Sequence, residues 1–152
     1  MIVVDTTVWV DYFAGRADEP HVAELLRLVD ADAGVALTDV IFGEILQGLR
    51  GEQTVRRVDK RLSAFDILRL RTLDDFRNAA TLYRHARSKG KTIRRTLDCL
   101  IATVCIREDC SILHNDRDFD HLAAVTDLVV HVAPESAGAR SISDDAFVTS
   151  TV

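Results

Sequence analysis

The sequence predicts an α/β fold with a mainly parallel sheet of about five short strands sandwiched between helices. Two observations predict it. Runs of four or five β-branched and apolar residues alternate with longer stretches in which apolar residues return at helical spacing. In addition, 152 residues that are 47% hydrophobic, 28% charged and 6% aromatic suffice for one domain with a substantial core.

The elements follow in order. Ile2-Val3-Val4 is a β-branched run ending in Asp5; Thr6-Thr7 comes next, and Val8, Trp9, Tyr12 and Phe13 recur at helical spacing, giving strand, turn and helix. Residues about 19 to 30 place Val22, Leu25, Leu26 and Val29 at i, i+3, i+4 and i+7, a second helix with Gly34 as its stop. Val35 to Thr38 is a second strand. Asp39 is positioned to cap a helix carrying Ile41, Ile45, Leu46 and Leu49 that ends before Gly51. A helix over residues 52 to 64 leads to a third strand, Asp66 to Leu70. Thr72-Leu-Asp-Asp75 has the form of a capping box and opens a long helix to about Ser88, with Gly90 as its stop. Ser88 to Arg95 is a basic loop. Thr96 is placed to cap a helix through about Arg107, with Leu97, Leu100, Ile101, Val104 and Cys105 inside. Ser111 to His114 is a fourth strand, Asp118 to Val125 a short helix and Leu128 to Val132 a fifth strand. The domain spans residues 1–132. Residues 133–152, rich in Ser, Gly, Asp and Thr, are a C-terminal extension.

Composition excludes several classes. Acidic residues outnumber basic ones 24 to 19, a net charge of -5, which argues against a polybasic nucleic-acid coat while leaving room for a local basic face. No apolar run reaches membrane-spanning length, and an acid at the fifth residue without a basic start is wrong for a signal peptide, so a cytoplasmic protein with no membrane partner is expected. Cys99, Cys105 and Cys110 are odd in number and form no Cys-x-x-Cys pair; they read as small core residues.

Four acids carry the functional signal. Asp5 ends the first strand and Asp116 follows the fourth, and in parallel α/β sheets sites form beyond the carboxyl ends of strands. Glu44 has Val40 and Ile41 at i-4 and i-3, and Asp98 has Ile101, Ala102 and Cys105 at i+3, i+4 and i+7, so both project from apolar helix faces. Each acid also has a purely structural reading: Asp5 as a helix cap, Asp98 as a complement to the helix dipole, Asp116 or Asp118 as an Asx turn, Glu44 as half of a buried ion pair. If the four converge, each pair about 5 Å apart repels by roughly 3 kcal/mol at an effective dielectric near 20. Such a cluster must protonate or hold cations. An all-oxygen donor set suits Mg²⁺ or Mn²⁺, and the chemistry it supports is phosphodiester hydrolysis by a metal-activated water.

These residues carry a resemblance. The apolar run into Asp5-Thr6-Thr7, Thr38-Asp-Val-Ile-Phe-Gly-Glu44-Ile, Thr96-Leu-Asp98-Cys-Leu-Ile-Ala and His114-Asn-Asp116-Arg-Asp118-Phe look like the four acidic motifs of PIN-domain ribonucleases, and residues 1 to about 132 resemble the VapC toxins of bacterial toxin-antitoxin pairs. The resemblance implies a three-layer α/β/α PIN-like domain, a Mg²⁺- or Mn²⁺-dependent endoribonuclease that inhibits translation and growth, one or two ions, and restraint by a VapB-type antitoxin whose C-terminal segment wraps the toxin. It also implies a homodimer or a toxin-antitoxin hetero-oligomer. By position, Asp5, Glu44, Asp98 and Asp116 inherit the catalytic and metal-ligand roles, with Asp118 a further ligand or water-holder. Thr6, Thr7 and His114 stand behind them. His114 is a departure, since family members often carry Thr or Ser there; it reads either as a core residue or, when protonated, as a phosphate contact.

Arg87, Lys89, Lys91, Arg94 and Arg95 cluster just before Asp98 and are expected to hold RNA phosphates, the alternative being a solvated helix end and loop. Arg50, Arg56, Arg57, Lys60 and Arg61 read as surface or antitoxin-facing. Trp9, Tyr12 and Phe13 read as mostly core, with base stacking as the alternative. The early apolar helices offer a groove for an antitoxin helix. Two other functions stay open: a catalytically silent PIN-like module that binds RNA or protein, and a phosphatase with Asp5 as nucleophile. The second is weakened by the lack of an aspartate two positions after Asp5.

Overall fold

The computed structural model describes residues 1–134. It contains β1 (Ile2–Val4), α1 (Thr6–Phe13), α2 (Pro20–Asp30), β2 (Val35–Thr38), α3 (Asp39–Gln47), α4 (Glu52–Leu62), β3 (Asp66–Leu68), α5 (Leu73–Ser88), α6 (Thr96–Arg107), β4 (Ser111–Leu113), α7 (Arg117–Val125) and β5 (Val129–Val130). The order of strands and helices is the one the periodicity predicts. Apart from its first two residues, the C-terminal extension lies outside the described residues.

The strands form one five-stranded sheet in the order β3-β2-β1-β4-β5, and every pairing is parallel. The first strand of the chain is thus the central one, with Val3 beside Ala36 on one side and Ile112 on the other. Val3, Val4, Ala36, Leu37 and Ile112 are wholly buried, as expected for strands covered by helices on both faces. A strand buried on both faces shows a continuous apolar run, which is why three residues of Ile-Val-Val sufficed to mark it. Trp9 anchors one face: its ring packs 5.2 Å from Phe65 and its indole N–H donates to the Val4 carbonyl at 3.0 Å. Tyr12 and Phe13 pack against Trp9 and lie under the Arg61 guanidinium, which donates to the Tyr12 hydroxyl at 2.7 Å, so these aromatics belong to the core and its rim. The three cysteines are free and buried, and burial raises each thiol pKa.

Several helix ends differ from the sequence reading, among them α4, which stops at Leu62, and α7, which starts at Arg117. Thr38, the last residue of β2, caps α3 by accepting the Ile41 N–H at 3.1 Å; Asp39 is already helical and its carboxylate accepts from Val40 and Leu70 instead. The α3 helix ends at Gly48, and Gly51, at φ +80°, starts α4. Thr72 caps α5 through the Asp74 N–H, while Asp75 reaches one residue further back than a capping box requires, accepting from Arg71 at 2.7 Å. Thr96 does not cap α6: Arg95 holds the cap position and no side chain closes it. The outer strands are shorter than expected, because β3 and β5 sit at the sheet edges and pair on one side only.

Candidate active site

The four acids meet beyond the carboxyl ends of β1 and its neighbour β4. Asp5 leaves β1 and caps α1, its Oδ2 accepting from the Thr7 N–H at 3.1 Å and the Thr7 hydroxyl at 2.7 Å. Asp116 follows β4 and caps α7, its Oδ1 accepting from the Asp118 N–H at 3.0 Å. The structural readings of these two acids therefore hold, and both acids remain available on one side. Glu44 projects from the middle of α3 and Asp98 from the first turn of α6. Ligand atoms of Asp98, Asp116 and Asp118 lie within 4.8 Å of one another, the tightest such group among the described residues. Asp5 and Glu44 lie outside that trio, close enough that their charges, with that of Asp116, act on Asp98.

The electrostatics are those of a site built for cations. Asp98 is fully buried and neither of its oxygens has a hydrogen-bond partner; Asp5 Oδ1 is likewise buried and unpartnered. Unpaired carboxylate oxygens away from water are costly. Burial, partly offset by Arg95 and reinforced by Asp5, Asp116 and Glu44, pushes Asp98 up to about 7. Burial also raises Asp5, against the lowering effect of the Thr7 and Thr6 donors. Orphaned oxygens on an all-oxygen donor set fit a hard divalent ion such as Mg²⁺ or Mn²⁺.

The two threonines divide the work of holding the acids. Thr6 donates its hydroxyl to Glu44 Oε2 across 38 residues of chain, and Thr7 donates to Asp5 while accepting the Asn115 N–H at 3.1 Å. His114 is also supporting: its Nδ1 accepts the Asp116 N–H at 3.0 Å, its ring lies 5.3 Å from that of Phe119, and its Nε2 faces Asp120 Oδ1 at 3.2 Å. With 6% of its side chain exposed, it is placed as a core residue that braces Asp116.

The basic segment divides in two. Arg94 is locked onto the acids, its Nε 3.2 Å from both Asp118 oxygens, its Nη2 2.6 Å from Asp116 Oδ1 and its backbone N–H on Asp118 at 3.0 Å. Arg95 stands over Glu44, Asp98 and Asp116 at 3.7 to 4.0 Å. The sequence shows these arginines only as cations near Asp98; that they face the acids follows from the approach of α7. Arg87 is exposed, lies 5.7 Å over the Tyr83 ring and, with Arg84, lines a groove of about 460 Å³ that reaches Thr96, Cys99 and Leu100 at the start of α6. Lys89 closes α5 as an exposed residue and Lys91 is half-buried just beyond it.

The parallel sheet and the carboxylates at its edge define the class. The PIN domain profile matches residues 2–125, and the chain belongs to the PIN-domain family. Within that family it is a VapC-type protein. It is 38% identical over 129 residues to VapC ribonuclease Mb1587 of Mycobacterium bovis and to Ribonuclease VapC11 of Mycobacterium tuberculosis, covering 84% of this chain and 96% of each of those proteins. Ribonuclease VapC51 of Mycobacterium tuberculosis is 31% identical over 111 residues, 73% of this chain and 80% of that one. In fold, it resembles VapBC2 from Rickettsia felis bound to a promoter DNA fragment, with a TM-score of 0.66 and 19% identity over 86% of this chain and 98% of that one. FitAcB from Neisseria gonorrhoeae superposes with a TM-score of 0.63 and 21% identity, over 86% and 96% of the two chains. Among the described residues no helix is long and apolar enough to cross a membrane.

Proposed function

We propose that the protein is a Mg²⁺- or Mn²⁺-dependent endoribonuclease, the toxin of a toxin-antitoxin pair, which cuts cellular RNA and thereby inhibits translation and growth. The observation that carries the reading is the buried pair Asp98 and Asp5, whose orphaned oxygens sit among Glu44, Asp116 and Asp118 and need a cation. Asp5, Glu44, Asp98 and Asp116 would hold the ion or ions, with Asp118 beside them. A bound divalent ion there supplies Lewis acidity toward water and the scissile phosphate. The residues themselves orient and neutralise: Thr6 and Thr7 fix Glu44 and Asp5, His114 fixes the Asp116 backbone, and Arg94 holds Asp118 in place. Arg87, in the groove beside α6, together with Lys89 and Lys91 just beyond the end of α5, would hold phosphates. Hydrolysis at such a site leaves 5′-phosphate and 3′-hydroxyl ends.

The partner reading rests on the relatives and on a second groove. Trp9, Tyr12, Phe13, Leu25, Leu26 and Val29 line an apolar hollow of about 330 Å³ between α1, α2 and α4, the shape that receives the apolar face of a helix. A small VapB-type antitoxin is the partner assigned to it, with the protein acting as a homodimer or within a toxin-antitoxin hetero-oligomer. The function is tested by incubating antitoxin-free protein with total cellular RNA in Mg²⁺ or Mn²⁺ and sequencing new 5′ ends. Discrete cuts that vanish with chelator and with Asp98→Asn support the reading. Metal binding with no cuts would instead favour a silent binding module.

A further inference from the structure

We propose that Arg95 is an exchangeable internal counter-ion: its guanidinium neutralises Glu44, Asp98 and Asp116 in the metal-free protein and leaves them when a divalent cation binds. The inference rests on the metal-dependent reading of the site above. Its basis is the contrast between two adjacent arginines. Arg94 is hydrogen-bonded through its side chain to Asp116 and Asp118 at 2.6 to 3.2 Å, and its own backbone N–H is fixed to Asp118. Arg95 reaches three different carboxylates, Asp98 at 3.7 Å, Asp116 at 3.7 Å and Glu44 at 4.0 Å, every one of them beyond hydrogen-bond length.

A cation placed between carboxylates and bonded to none is held by field alone. The Asp98 oxygens stay unpartnered although a guanidinium with five N–H donors stands beside them. Asp98 is therefore neutralised in charge and left open in coordination, which is the condition a metal ligand needs. Leaving costs Arg95 no hydrogen bond, and its side chain is 48% exposed, so water can take over its solvation. Arg95 is the N-cap residue of α6 but its side chain makes no cap bond, so no helix end depends on that side chain. A small ion with short contacts to the same oxygens displaces a distant, diffuse one, because the Coulomb energy grows as separation shrinks. The displaced guanidinium remains at the mouth of the site, where its planar donors suit a substrate phosphate.

The test titrates MnCl₂ into the antitoxin-free full chain, wild type and Arg95→Gln, by calorimetry. The variant is expected to bind Mn²⁺ about tenfold more tightly, because an intramolecular competitor of unit charge has been removed. In melts without metal, Arg95→Gln unfolds at lower temperature than wild type, and saturating Mn²⁺ closes the gap. A second measurement needs no variant: phenylglyoxal labelling of wild type, read by mass spectrometry, is faster at Arg95 with Mn²⁺ than without. Equal or weaker Mn²⁺ binding by Arg95→Gln, or labelling of Arg95 that Mn²⁺ leaves unchanged, overturns the proposal and leaves the metal site standing. Absence of Mn²⁺ binding in both proteins overturns the metal reading and this proposal with it.

Discussion

The Thr7 hydroxyl accepts the Asn115 N–H at 3.1 Å while it donates to Asp5 at 2.7 Å, so one oxygen ties the loop after β4 to the acid that ends β1. Thr7→Val removes both bonds at once, leaving the exposed Asn115 N–H to water and Asp5 Oδ2 without its hydroxyl donor. We expect a loss of about 2 kcal/mol in unfolding free energy, measured by urea denaturation. Thr7→Ser retains the hydroxyl and should recover most of it.

Asp98→Asn should separate stability from activity. The change removes a charge whose burial, with repulsion from Asp5, Asp116 and Glu44, outweighs the pull of Arg95, so the metal-free variant is expected to melt at or above the wild-type temperature. Its RNA cleavage should fall by about a thousandfold, the scale on which a metal's charge stabilisation acts. A variant that is both unfolded and inactive would contradict this separation.

Metal affinity should depend on pH through Asp98. Its carboxyl is pushed up to about 7, so below that value an incoming ion must displace a proton. Mn²⁺ affinity is expected to rise by about tenfold or more per pH unit below about pH 7, the raised carboxyl of Asp5 adding to the same dependence. Calorimetry at several pH values in buffers of different ionisation enthalpy would show the released proton.

Away from the site, Glu24 has the opposite sign. Its carboxylate, 5% exposed, is held down to about 2 by the Arg27 fork at 2.7 to 2.8 Å and by His131 at 2.7 Å, against an ordinary value of 4.5. A lowered acid stabilises the fold above its unfolded value and loses that contribution as pH falls through the folded one. Wild type should therefore exceed Glu24→Gln by on the order of 3 kcal/mol at neutral pH, and the difference should disappear between about pH 4.5 and 2.

His114→Ser tests the one departure from the family pattern. A serine hydroxyl can accept the Asp116 N–H as His114 Nδ1 does, so cleavage should survive while the packing on Phe119 is lost and the melting temperature drops. His114→Leu preserves bulk but leaves the Asp116 N–H without its acceptor, and the cleavage rate should fall while the fold persists.

Element order was legible because it depends on local periodicity: Ile2-Val-Val, Val35 to Thr38 and Ser111-Ile-Leu each announce a buried strand without reference to the rest of the chain. Helix ends were less so. Thr38 and Asp39 are adjacent cap-competent residues, and which one caps depends on where β2 releases the backbone. The placement of Glu44 and Asp98 on apolar faces was readable from spacing, and both are drawn in beside the acids of β1 and β4. What Arg94 touches, and the reach of Arg95 beyond nearby Asp98, was not readable, because Asp116 and Asp118 lie more than twenty residues further on and Glu44 comes from α3. A basic loop looks the same in sequence whether it faces solvent or folds back over carboxylates.

The order β3-β2-β1-β4-β5 puts the earliest strand at the centre and makes its second neighbour wait until residue 111. During synthesis, then, Asp5 emerges from the ribosome first and Asp98, Asn115 and Asp116 more than ninety residues later. A partial chain holds Asp5 and Glu44 with nothing to complete them. The machine that makes this protein is surrounded by RNA, and the cutting site does not assemble until nearly the whole domain has left it.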